Sequence, residues 1–132
     1  ILALKELTTI DLSDFLAGPY NTDNVITKCL SNGDAQDFDV MYQLLDAVVE
    51  RSARYAASIL SAAVIQSGEG KNASKPVCIL CNGSTFYKTH MIYQRVSAYL
   101  EQNLTIEKGL YWEIVTVEDD ITLGTAIAGL IK

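Results

Sequence analysis

Proline is scarce in this 132-residue chain, which has only Pro19 and Pro76. Between those two positions no ring breaks a helix, so a long one is permitted there. Histidine occurs once, at His90, and cysteine three times, at Cys29, Cys78 and Cys81. Cys78 and Cys81 fall on a predicted strand, where i and i+3 point to opposite faces, so they do not read as a zinc or dithiol pair. The odd number closes no disulfide framework, and the thiols are read as buried apolar groups in a reducing compartment, hence cytoplasmic. Basic residues are outnumbered ten to sixteen, giving a net charge of −6. No block of like charge stands out, so neither nucleic acid nor an anionic membrane is expected as the main partner. A nucleotide needs only a local pocket and is not excluded. No signal peptide is visible and no apolar run reaches membrane-spanning length. The N-x-S/T triplets at Asn72, Asn82 and Asn103 are read as chance.

What is present is an ordinary globular composition, 49% apolar and 20% charged, enough for one domain or part of one. The chain starts at Ile1 without methionine and is read as a processed or excised piece. Its organising stretch is Pro76 to His90. Val77 to Cys81 is a short β-branched run between Pro76 and Asn82-Gly83 and reads as a buried strand. Thr85 to Leu104 returns to a helical period. A glycine turn followed by Ser84 and Thr85 at a helix start suits a ligand that approaches the backbone, although plain helix capping explains the same residues.

Asp37 to Ser67 predicts a long helix. Phe38, Met41, Leu44, Leu45, Val48 and Val49 mark one face, continued by Tyr55, Ile59, Leu60 and Ala63. The slim second half around Ala53, Ala56 and Ala57 is expected to be buried on more than one side, with Arg51 and Arg54 on a solvated edge beside Glu50. Val25 to Leu30 predicts a short helix opened by Asp23 or Asn24, after a turn at Gly18-Pro19-Tyr20-Asn21. Thr8 to Leu16 mixes hydroxyls, Asp11 and Asp14 with apolar residues. His90 reads as a surface or capping residue. Ile92, Val96, Tyr99 and Leu100 form a helical face, and Leu104 to Leu110 a connection. Tyr111 to Val117 predicts a second strand, Glu118-Asp119-Asp120 a cap, and Ile121 to Ile131 a last helix. The order helix, strand, helix, strand, helix implies an α/β fold with parallel strands. Two strands make an incomplete sheet, whose remaining strands are expected in other sequence.

Three segments in order resemble the C-terminal part of the hexokinase family, within the sugar kinase, Hsp70 and actin superfamily. Val48 to Ala57 resembles the family helix with a T-R-A-A-R-L-like core. Cys78-Ile79-Leu80-Cys81-Asn82-Gly83-Ser84-Thr85-Phe86-Tyr87-Lys88 resembles V-x-D-G-[ST]-x-Y. Thr116 to Asp120, followed by Gly124 to Ala128, resembles the closing S-E-D-G-S-G-x-G-A-A segment. Asn82 stands where the family has Asp, and Asp120, Thr122 and Leu123 replace closing glycines and a lysine.

The resemblance implies a partial ribonuclease H-like, actin-like ATPase domain. Residues 1–36 would be a variable lead-in and residues 37–132 the nucleotide-side portion of the large domain. It implies the C-terminal fragment of an ATP:hexose 6-phosphotransferase using ATP with Mg2+, with ATP or ADP and a hexose such as glucose as partners. Asn82, Gly83, Ser84, Thr85 and Gly124 would bind nucleotide, with Thr8, Thr9 and Ser13 as possible contacts. No catalytic base or metal ligand is located, so the isolated chain is expected to be inactive. A non-catalytic sugar sensor or regulator and an unrelated α/β protein-interaction module stay open.

Overall fold

The computed structural model describes residues 6–116. Helix α1 spans Thr9–Ala17, α2 Val25–Cys29 and α3 Ala35–Ser67. Strand β1 (Val77–Leu80) follows, then α4 (Ser84–Lys88), α5 (Ile92–Leu100), a π-helical segment Glu101–Ile106 and β2 (Trp112–Val115). Among the described residues no helix is long and apolar enough to cross a membrane.

Helix α3 is the spine. Asp34 caps it reciprocally with Asp37, each carboxylate accepting the other's backbone N–H, which satisfies donors a helix start leaves free. It ends where Gly68 turns left-handed, at φ 73°. Its buried stripe is Leu45, Val49, Ala53, Ala57, Ser61 and Val64, nearly one residue per turn. The first half closes over Phe15, Leu16 and Ile26 of α1 and α2. The second half meets Val96 and Leu100 of α5, Leu104 and Ile79 of the sheet. Small residues at 53, 57 and 61 let α5 lie close, and dispersion grows with that contact.

This corrects two expectations. Tyr55 and Ile59 are 65% and 69% exposed, on the side away from α5, and Leu44 and Val48 are exposed too. Among the described residues the slim half buries one stripe, since Ser58, Ala62 and Ala63 face outward. An alanine-rich helix offers several equivalent stripes, and the narrowest one took the close approach.

The two strands pair in parallel, Val77 with Trp112 through Leu80 with Val115, as expected of an α/β chain. Val77, Ile79, Trp112 and Ile114 face the helices. Cys78, Leu80 and Glu113 alternate to the other face and are exposed. The buried-thiol expectation therefore fails for Cys78, whose thiol donates to Glu113 Oε1 at 3.0 Å, and for Cys29, which is exposed. Cys81 is half-buried. Glu113 beside it, and then burial, push the Cys78 thiol pKa up.

The helix expected over Thr85 to Leu104 is broken. A reversal at Thr89–Met91, with Met91 at φ 59°, separates α4 from α5. The expected connection after Leu104 begins instead as the π-helical segment, which fully buries Leu104 before Gly109 turns the chain. Residues 8–16, to which the sequence assigned no element, supply the cap and most of α1. The Glu118 to Asp120 cap, the closing helix and Gly124 lie outside the described residues.

Candidate functional site

The turn beyond the carboxyl end of β1 is built by Asn82 and Gly83. Gly83 has φ 103°, a conformation a side chain resists, while an added Cβ would meet nothing within 4 Å. The glycine is therefore required by backbone conformation, and the surface over it is open. Helix α4 follows for five residues with no side chain capping its start. Ser84 and Thr85 are exposed there, so the capping explanation of their hydroxyls does not apply.

Helix α1 is brought to α4 by one hydroxyl. Ser13 Oγ accepts the His90 backbone N–H at 2.9 Å and donates to the Lys88 carbonyl at 3.2 Å. The two helices enclose a cleft of about 350 Å³, within the roughly 300–1,000 Å³ range of small-ligand sites. One wall is Thr9, Ile10, Ser13 and Asp14, and the other is Ser84, Thr85, Lys88 and Thr89. Most of its lining residues carry a hydroxyl, beside one ammonium, one carboxylate and one apolar side chain, Ile10, that is 69% exposed. Such a lining suits a hydroxylated ligand with apolar surface, and its single ammonium and single carboxylate balance in charge.

Of the residues singled out in the sequence, Thr9, Ser13, Ser84 and Thr85 come together in this cleft. Asn82 and Gly83 lead directly into α4 but are not among its lining residues. Thr8 is the N-cap of α1: its hydroxyl accepts the Asp11 N–H at 3.2 Å and donates to Asp11 Oδ2 at 2.6 Å. That hydroxyl and the Thr8 amide hold the Asp11 carboxyl below its usual range. Ile10, Asp14, Lys88 and Thr89 were not foreseen. A helical reading of residues 9–17 places Ile10 and Asp14 beside Thr9 and Ser13, and Lys88 lies one turn after Ser84 and Thr85.

A second cleft, of about 320 Å³, is lined by Tyr20, Thr22, Thr27, Lys28, Ser31 and Phe38. Tyr20 stacks on Phe38 with ring centroids 5.1 Å apart. Its polar atoms are partly engaged already, Thr27 Oγ1 with the Pro19 carbonyl and Lys28 Nζ with the Asp23 carbonyl. Among the described residues no three His, Cys, Asp or Glu side chains converge as a metal site.

The arginines of α3 lie away from both clefts. Arg54 bonds Glu50 at 2.8 Å and the Tyr99 hydroxyl at 3.0 Å, as expected of an edge residue with a local acid. Arg95 of α5 pairs with Asp46 and Glu50, so the group ties α3 to α5.

The family model described as Hexokinase matches residues 4–131, and the chain belongs to the hexokinase family. No curated protein and no solved structure matches it.

Proposed function

Taking that family as the premise, we propose that this chain supplies the adenosine side of the ATP site in an ATP:hexose 6-phosphotransferase of ribonuclease H-like fold. The observation that carries the reading is the cleft in which Thr9 and Ser13 meet Ser84 and Thr85. It adjoins the turn that follows β1, and parallel α/β sheets bind ligands beyond the carboxyl ends of their strands.

Phosphoryl transfer is accelerated mainly by positioning and by stabilising charge on the phosphates. In this reading Gly83, lacking a side chain, lets the nucleotide lie against the turn. Ser84 and Thr85 hydrogen-bond the ribose or α-phosphate, Lys88 offsets phosphate charge, and Ile10 covers apolar surface of the base. Asp14 disfavours phosphate on the α1 wall, which places the charged end of the ligand along α4. Gly124, outside the described residues, is the further nucleotide contact proposed from the resemblance. Mg2+ in such reactions neutralises phosphate charge. The described residues offer no converging ligand set for it, so none is assigned to them. The hexose contacts and the base toward its 6-hydroxyl are assigned to other sequence of the same protein, and the chain alone is expected to have no kinase activity.

In the intact kinase, Gly83→Val should raise the KM for ATP about tenfold or more while the KM for the hexose and the circular dichroism spectrum stay unchanged. The strained φ and the added side chain both act on the turn. An unchanged KM for ATP contradicts the assignment.

A further inference from the structure

Helix α4 carries the cleft residues Ser84 and Thr85, yet at five residues it is too short to hold its own position. Tyr87, the fourth residue of that helix, reaches back to the sheet. Among the described residues the last rung between the strands is Cys81 N–H to the Val115 carbonyl at 3.1 Å. Just beyond it, Tyr87 Oη lies 3.1 Å from the Cys81 carbonyl and within hydrogen-bond reach of Thr116 Oγ1. A carbonyl only accepts, so the one phenolic proton goes to Cys81, and Thr116 donates its hydroxyl hydrogen to the phenol oxygen. One side chain thus joins the carboxyl ends of both strands to α4.

The ring is held independently of that hydroxyl. It stacks on Tyr93 of α5 at 5.8 Å between centroids and meets the edge of Phe86 at 5.0 Å. Removing the oxygen therefore breaks the link and leaves the packing.

We propose that Tyr87 is a positioning residue, whose hydroxyl fixes the α4 wall of the nucleotide cleft to the ends of β1 and β2. This rests on the nucleotide-site reading given above. Geometry at such sites matters: misplacement by about 1 Å can lower activity about a hundredfold.

The test uses the intact protein, with Mg-ADP binding by calorimetry and steady-state kinetics with ATP. Tyr87→Phe is expected to weaken Mg-ADP binding and raise the KM for ATP about tenfold, within what the loss of its two hydrogen bonds can supply. The kcat and the hexose KM should barely move, and the melting temperature should fall by no more than about a few degrees. Thr116→Val should weaken binding in the same sense but less, because the bond to the Cys81 carbonyl stays, and the double variant should be no worse than Tyr87→Phe, which already removes both bonds. A Ser84→Ala/Thr85→Ala variant separates the two claims. If it weakens Mg-ADP binding and Tyr87→Phe does not, the positioning role is wrong and the site stands. If neither weakens binding, the site reading fails and the positioning role falls with it. Additive effects of Tyr87→Phe and Thr116→Val, or an equal loss in kcat, hexose KM and melting temperature, also overturn the proposal.

Discussion

The Ser13 hydroxyl accepts the backbone N–H of His90 at 2.9 Å, across 77 positions of sequence. The same oxygen donates to the Lys88 carbonyl, so one small side chain sets how far α1 stands from α4. Ser13→Ala removes both bonds and strands a half-buried amide. We expect a loss of about 1 kcal/mol in urea unfolding, together with weaker Mg-ADP binding as the cleft widens. Unchanged stability and binding would mean the latch is idle in solution.

Glu50 gives the chain an acid-sensitive joint. Its pKa is lowered first by the Tyr99 hydrogen bond, then by Arg54, with Arg95 adding to the attraction. A carboxyl whose folded pKa lies below its unfolded value of roughly 4.3 stabilises the fold above that pH. The contribution disappears as pH falls through the lowered folded value. Glu50→Gln should therefore lose less stability than the parent chain between about pH 7 and about pH 3. Equal acid slopes in urea titrations would contradict the joint.

Gly70 and Gly68 make a matched pair. Both have positive φ, but a Cβ at Gly70 would sit 2.8 Å from the Tyr111 carbonyl and 3.1 Å from Val77, whereas nothing lies near one at Gly68. The Tyr111 carbonyl cannot yield easily, because it accepts the Val77 N–H that opens the sheet. Gly68→Ala should cost about 1 kcal/mol from backbone conformation alone, and Gly70→Ala at least about 2 kcal/mol. Equal unfolding midpoints for the two variants would refute the close approach.

What the sequence disclosed follows from which signals have a single reading. Strands β1 and β2 were legible because β-branched runs between breakers leave few alternatives, and a helix between them demands a parallel pair. The start of α2 was legible to within Asp23 or Asn24, and Asn24 is the cap, its side chain accepting the amides of Ile26 and Thr27. The face of α5 was legible for its clear period. Helix α1 was missed although Thr8 and Asp11 carry the spacing of a capping box. The same hydroxyls suit a helix cap and a ligand contact equally well. The α4–α5 break was not legible, because it depends on Met91 adopting a left-handed conformation that methionine does not advertise. The exposure of Tyr55 and Ile59 was hidden by the alanines around them. The cleft was half legible: Ser84 and Thr85 were marked by the glycine turn, but Lys88 and Asp14 join only when α1 and α4 meet.

The two aliphatic surfaces of α3 and its neighbours should separate sharply. Leu104 is fully buried in the cluster with Ala57 and Val96, while Ile59 is 69% exposed. Leu104→Ala is expected to cost about 2–5 kcal/mol and Ile59→Ala less than about 0.5 kcal/mol. A large loss for Ile59→Ala would mean that further sequence covers this side of α3.

The claim that the α1–α4 cleft holds the nucleotide is tested most directly by mapping amide chemical shifts of the intact protein as Mg-ADP is added. The account predicts saturable changes concentrated at residues 9–14 and 83–89, lost in Ser84→Ala/Thr85→Ala. Changes centred instead on Tyr20, Lys28 and Phe38, or no changes at a saturating level of Mg-ADP, would contradict it.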